Sequence, residues 1–495
     1  MLRTLIKYRR PLAVVSGGLF ALILFSTASA QEEDPVADLA GALDTTWLML
    51  AAFLVFFMQA GFAMVEAGFV RSKNVANILM KNMLDCSLGA IAFWAVGWAF
   101  AYGFSEGGSS NGFIGTSQFF LSGDFGDDYA GWIFQFAFAA TAATIVSGAM
   151  AERTSFHGYL FYTVFITAII YPVVVHWAWS GDGWLTAFPN DGDPIGTNGY
   201  MDFAGSGVVH MVGGFAGLMG AIIVGPRIGK YASGGQVNAI PGHNISMAVL
   251  GMFILWFGWY GFNPGSTLGL SGGLAALAAK VAVNTTLAAA AGAACITFIS
   301  KFRYGKYDTG LTVNGALGGL VGITAPCAAV DPWAAVVIGL VAAPVVLFGV
   351  ELLDRLKVDD VVGAVSVHGF AGIWGVLAVG LFATQQGVLD HTGAESAQYG
   401  LLLGGGAEQL GIQALGAASI VAWTSAASGI LFLAIKYTVG LRVSEDEELR
   451  GLDLDEHGIE AYPGFERAPE SGLSYFTDAP PGGATVVADA PASST

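Results

Sequence analysis

The amino-acid sequence predicts an all-α membrane protein of eleven transmembrane helices, arranged as an inverted five-helix repeat plus a final helix. Three observations carry that expectation. Only 12% of the 495 residues are charged and 54% are hydrophobic, whereas an ordinary soluble chain is roughly a quarter charged. So few charges cannot cover a water-facing surface. Apolar runs of about 20 residues, enough to cross a bilayer, recur along the chain beyond residue 45. Basic residues gather in alternate loops between those runs. The 70 glycines fit the same class, because helices in lipid associate through small residues that let backbones approach closely.

Taken in order, the spans are expected near 47–70, 78–104, 129–152, 157–180, 203–225, 243–263, 277–300, 311–329, 332–353, 363–385 and 408–437. Each is long enough for a hydrocarbon core of ~30 Å at ~1.5 Å per helical residue. Ahead of them, Arg3, Lys7, Arg9 and Arg10 precede a short apolar stretch from Leu12 to Phe25 and then Ala28-Ser29-Ala30. That pattern predicts a signal peptide over residues 1–30, cleaved after Ala30. An uncleaved additional span is the alternative.

Charge fixes an orientation. Arg71 and Lys73 follow the first span, Arg153 the third, and Arg227 and Lys230 the fifth. Lys301, Arg303 and Lys306 follow the seventh, Arg355 and Lys357 the ninth. The opposite loops hold Glu106, Asp124, Asp127, Asp128, Asp182, Asp191, Asp193, Asp331, Asp390 and Glu395, with Lys280 as the basic exception. The positive-inside rule therefore puts the mature N-terminus outside and the C-terminus in the cytoplasm. The net charge of −17 comes mainly from the external loops and the tail. It excludes a basic nucleic-acid surface. Cys86, Cys295 and Cys327 lie in or beside apolar segments without CxxC spacing and read as packing residues rather than a disulfide or metal framework.

An internal echo marks the repeat. The fifth span carries Val209-His210 followed by Gly214-Phe215-Ala216-Gly217, and the tenth carries Val367-His368-Gly369-Phe370-Ala371-Gly372. Five spans separate them, an odd number, so the two cross in opposite directions. Asp202 opens the fifth span eight residues before His210, and Asp360 stands eight before His368. Each histidine thus lies ~12 Å deeper than its aspartate, placing the pair at matched depth near the midplane. Ionisable groups in lipid need a partner or a task. A neutral imidazole donates from one nitrogen and accepts at the other. Two in series suit either guidance of a small donor–acceptor molecule or relay of a proton. A fixed cation such as potassium is disfavoured there, while a cation able to shed a proton can pass.

Aromatics crowd the expected external ends. Phe134, Phe136 and Phe138 lie in the third span, Trp177, Trp179 and Trp184 flank the fourth, and Trp256, Trp259, Tyr260 and Phe262 precede Asn263 and Ser266 in the sixth. Either they form an interfacial belt, or their faces attract a partly desolvated cation. Composition leaves both open.

Several stretches resemble the ammonium transporter family (Amt/Mep/Rh), particularly its Amt branch. The matching text is Ala63-Met64-Val65-Glu66-Ala67-Gly68 running into Val70-Arg71-Ser72-Lys73-Asn74, Gly148-Ala149-Met150-Ala151-Glu152-Arg153, and Asp202-Phe203-Ala204-Gly205-Ser206-Gly207-Val208-Val209-His210. Trp256-Phe257-Gly258-Trp259-Tyr260-Gly261-Phe262-Asn263-Pro264-Gly265-Ser266, Val367-His368-Gly369 and the tail from Thr438 to Gly458 match as well. The resemblance covers about residues 45–465.

It implies eleven spans, a homotrimer and one pore per subunit, in the inner membrane of a bacterium, with neither cofactor nor metal. By this resemblance Phe138, Trp179 and Ser266 form the external recruitment site for ammonium, supported structurally by Asp202. Phe138 and Phe262 form a stacked gate beneath it, and His210 and His368 line the apolar pore. The organisation implied is a transporter domain over 31–437, a cytoplasmic regulatory segment over 438–468 that meets a PII-type signalling protein, and a disordered tail over 469–495. One departure is Gly363, where many bacterial members place an acidic residue.

Two other function classes compete. An ammonium sensor with little transport lacks an appended signalling domain after residue 465. An intramembrane metalloenzyme would use His176, His210 and His368, but no HxxxH or HExxH spacing supports it. The expectation is a transporter and not an enzyme.

Overall fold

In hydrocarbon a backbone has no water to bond, so an apolar run must satisfy its own N–H and C=O groups and becomes a helix. A computed structural model describes residues 35–104, 111–123, 125 and 128–463, and among them it is helical apart from loops and two isolated bridges, Thr154–Arg442 and Tyr231–Val237. The expected signal peptide (1–30) and the 469–495 tail lie outside the described residues.

The long helices are α1 (Pro35–Phe69), α2 (Ser72–Tyr102), α3 (Tyr129–Met150), α4 (Phe156–Trp179), α5 (Ser206–Val224) and α6 (Ile245–Phe262). Then come α7 (Leu274–Tyr304), α8 (Thr309–Thr324), α9 (Pro332–Arg355), α10 (Val365–Phe382), the short α11 (Gln385–Thr392) and α12 (Glu408–Thr438). Two short helices, α13 (Glu445–Arg450) and α14 (Leu452–His457), end the described chain. Among the described residues ten helices are long and apolar enough to cross a membrane. The eighth expected span, α8, has only 16 residues, or ~24 Å at ~1.5 Å per residue. Its expected end near 329 is cut short because Pro326 has no N–H to continue the hydrogen-bond ladder, and the helix stops at Thr324. Every residue from Val313 to Thr324 is buried, so this helix is sheathed by protein. Outward faces elsewhere carry large apolar groups, among them Phe53, Phe253, Phe298, Phe348 and Ile430.

α5 and α10 cross at the centre. Their closest approach is at Gly214, where a Cβ would meet the Gly369 nitrogen at 2.2 Å; only glycine permits it. Both helices begin with a π-helical turn, Ser206–Met211 and Val365–Phe370, a distortion frequent at functional sites. Both are capped the same way. Asp202 accepts from the N–H groups of Gly205, Gly207 and Val208 at 2.9–3.0 Å, and Asp360 from those of Ala364 and Val365 at 2.9 Å. Three residues after each aspartate stands a left-handed glycine, Gly205 (φ 108°) and Gly363 (φ 81°). The unusual Gly363 is therefore the mate of Gly205, required by the backbone turn rather than by charge.

The face bearing the basic loops is tied by a buried ion network. Arg227 contacts Glu152 at 3.0 Å and Asp359 at 2.8 Å, and Arg71 reaches Glu152 at 2.8 Å. Arg153, fully buried, donates to the backbone oxygens of Ala151, Gly225 and Asp359. Burial alone raises the pKa of Asp359, but its hydrogen bonds from Arg227 and the charges of Arg153 and Arg227 outweigh it and hold the carboxyl well below the usual range. The segment after α12 folds back onto this face. Asp453 accepts from the Ala76 and Asn77 N–H groups at 3.0 and 2.8 Å, Glu456 from the Phe156 N–H at 2.7 Å, and Glu448 from the Ile228 N–H at 2.7 Å.

Candidate substrate path

On the face bearing the acidic loops, α2, α3, α4 and α7 enclose a cavity of about 320 Å³, lined by Phe138, Trp179, Asp202 and Ser266 together with Tyr102, Gln135 and His391. The four residues expected there are all present. Trp179 is held by donating from Nε1 to the Asp202 backbone oxygen at 2.8 Å, and its ring meets Phe138 edge-on with centroids 6.0 Å apart. Ser266 donates to the Phe262 carbonyl at 2.8 Å, which leaves its oxygen lone pairs available. The Asp202 carboxylate is occupied by backbone N–H groups, so it shapes the site rather than facing a ligand with free oxygens. Burial raises both Asp202 and Asp360 to about 6, against the downward pull of their N–H bonds.

Phe138 and Phe262 close the cavity floor. Their rings stack with centroids 4.1 Å apart and planes 28° from parallel. Directly below, His210 stacks on Phe262 (5.4 Å) and on Trp259 (5.1 Å). Its Nδ1 lies 3.1 Å from Nδ1 of His368, the rings 24° from parallel. One nitrogen of that contact must donate and the other accept. His210 Nε2 is buried and has no hydrogen-bond partner among the described residues. Such a polar atom in a closed site costs about 1–3 kcal/mol unless something bonds it. Trp259 is itself fixed by donating to Thr324 at 2.9 Å.

Beyond His368 lies a small cavity of about 20 Å³, lined by Phe62, Glu66, Asn314, Leu317 and Val362 among others. That is room for about one water-sized species. Asn314 and Val362 also line a wider cavity of about 250 Å³ that opens between Arg227, Lys230, Asp354 and Asp360 on the basic face. The outer cavity, the stacked rings, the two histidines and the inner cavities thus follow one another from one face to the other.

His176 does not join them. Its Nδ1 and Nε2 sit 3.0 and 2.9 Å from the carbonyls of Ala101 and Asn111, away from the histidine pair. Among the described residues no group of three His, Cys, Asp or Glu side chains is placed to hold a metal.

Sequence reasoning singled out the outer site, the gate and the two histidines but assigned no role to Phe62, Glu66, Asn314, Gln135, Tyr102 or His391. Phe62 and Glu66 are legible once the repeat is aligned. Gly61-Phe62 in α1 answers Gly261-Phe262 in α6. His391 sits in a loop helix with no such signal, and only the fold brings it beneath Phe188 and Phe203, 5.6 Å from each.

Comparison with known proteins follows the same lines. Residues 46–462 match the model of the Ammonium Transporter Family. The chain is 46% identical over 456 residues to ammonium transporter Amt2 of Archaeoglobus fulgidus, covering 90% of this chain and 94% of that one. It is 46% identical over 437 residues to ammonium transporter 1 member 1 of Oryza sativa, covering 86% and 87%. Among solved structures it resembles one described as a sensor Amt protein (TM-score 0.75, 37% identity, 85% of this chain and 100% of that one). It also resembles Mep2 of Candida albicans (TM-score 0.73, 30% identity, 85% and 90%). A helical membrane architecture, a path through two facing histidines and a family match across most of its length place this chain in the Ammonium Transporter Family.

Proposed function

We propose that the chain is an ammonium transporter of the cell membrane, working as a homotrimer with its acidic-loop face outside and its tail in the cytoplasm. Ammonium is recruited in the outer cavity by Phe138, Trp179 and the Ser266 oxygen, each aromatic face contributing about 0.5–2 kcal/mol. Asp202 holds that site in shape. The Phe138–Phe262 stack bars hydrated ions, and the cation gives up its proton at this level. Ammonia crosses past His210 and His368, the proton passes with it along the imidazole pair, and the two recombine on the inner side. A dry site disfavours any cation that cannot shed its charge. The single observation that carries the reading is the pair of facing imidazoles, 3.1 Å apart, directly beneath stacked aromatic rings. The latched tail is the segment a PII-type signalling protein would meet.

A second reading is favoured by the likeness to the sensor Amt protein: a receptor that binds ammonium and passes little. One experiment separates them, an ammonium concentration jump on a solid-supported membrane bearing the full chain. The parent is expected to give an ammonium-evoked current. His210→Ala with His368→Ala is expected to lose it or to admit potassium. No current from a correctly inserted parent would sink electrogenic transport. Intact ammonium selectivity in the double variant would sink the histidine role.

A further inference from the structure

The two ends of the path are related by the repeat, and the relation extends beyond the histidines. In α1, Phe62 stands against His368 with centroids 6.0 Å apart, as Phe262 in α6 stands against His210 at 5.4 Å. Four residues on from each phenylalanine come Glu66 and Ser266. In α3, Gln135 and Phe138 line the outer cavity; in α8, Asn314 and Leu317, with the same spacing, line the inner one. Each cavity therefore presents an amide and an oxygen-bearing side chain at matching positions, and a phenylalanine at a matching position packs on the nearer histidine of the pair.

The inner copy differs in that Leu317 replaces the ring of Phe138 and, more consequentially for charge, its oxygen belongs to a carboxylate. Glu66 is 2% exposed. One of its oxygens, Oε2, accepts from Ser147 and, at 3.2 Å, from Asn82. The other, Oε1, receives no hydrogen bond from any described residue, and no described Lys or Arg forms an ion pair with Glu66. The nearest candidate, Lys81, is engaged elsewhere: it donates to the Thr154 carbonyl at 2.7 Å and lies over the Tyr159 ring. A buried carboxylate lacking a counter-ion is costly unless a cation or proton meets it. Asn314 spends its amide N–H on the Val362 carbonyl at 3.1 Å, so its side-chain oxygen remains available as an acceptor.

We propose that the cavity between His368, Glu66 and Asn314 is an inner cation subsite for a monovalent ion of ammonium size, the repeat-related counterpart of the outer recruitment site. It rests on the transport reading for its purpose, since it is where ammonia and its proton rejoin and the cation is held before release. Its existence is a matter of binding alone.

The test is anomalous diffraction from crystals of the full chain soaked in thallium(I), a monovalent ion close to ammonium in size. The parent is expected to show a peak in the outer cavity and another between Glu66 and Asn314. Glu66→Gln keeps the bonds to Ser147 and Asn82 but removes the charge, and is expected to lose the inner peak alone. Asn314→Leu gives a second route to the same result if Glu66→Gln does not insert. An inner cavity without a peak in the parent overturns the proposal, as does an inner peak that survives in both variants. Absence of ammonium current in the parent would sink transport but leave the inner peak standing, so the two failures are told apart.

Discussion

Gly363 shows what a single residue is chosen for. By resemblance its position is acidic in many bacterial relatives, and its loss of charge reads as a change of vestibule chemistry. The backbone gives another reason. At φ 81° an L side chain is strained, and a Cβ there would approach the Asn314 amide nitrogen to 2.6 Å. Nor is charge missing locally, for Asp359 is held by Arg227 and Asp360 caps α10. Gly363→Ala is expected to destabilise the protein by about 1–3 kcal/mol, read as a lower midpoint of thermal unfolding in detergent. An unchanged midpoint would show that the turn relaxes. Glu66, by contrast, is a residue whose chemistry and not its backbone is at issue.

At the scale of elements, α5 and α10 matter because each delivers a histidine at the midplane. The first turn of each leaves N–H groups without a partner inside the helix, and an aspartate collects them. Removing such an acceptor exposes buried donors at about 1–3 kcal/mol. Asp202→Ala is therefore expected to lower stability by that order and to weaken ammonium recruitment, because Trp179 hangs from the same residue's carbonyl. Asp202→Asn, which retains an oxygen acceptor, is expected to recover most of the stability. The check is thermal unfolding alongside the ammonium dependence of the current. Equal loss in both variants would mean that the charge, not the cap, is what counts.

The whole molecule is held on its basic face by one buried network. Arg227 is only 3% exposed and meets both Glu152 and Asp359, joining the α3–α4 loop to the approach to α10, while Glu448 of the tail binds Ile228 beside it. Removing one partner of a buried pair leaves an uncompensated charge, at about 3–5 kcal/mol. Arg227→Met is expected to cost that much and to loosen the tail, seen as faster hydrogen exchange in residues 444–457. Because the pair is shielded, high salt should leave the parent's stability nearly unchanged. A marked salt dependence would place those charges in water.

The membrane class, the run of helices and the histidine pair were legible in the sequence, because composition, apolar length and loop charge act locally and survive without a fold. The positions of Phe138, Phe262 and Ser266 were legible through family motifs, since spacing along a helix fixes which residues share a face. What the tertiary structure decided is whatever depends on two distant segments meeting. The sheathing of α8 follows from how its neighbours pack around it, the mating of Gly363 with Gly205 shows in their φ, and the placing of Glu66 in one cavity with His368 follows from Phe62 of α1 meeting that histidine. Periodicity orders residues along one helix; only packing brings two helices together, and the candidate site lies between them.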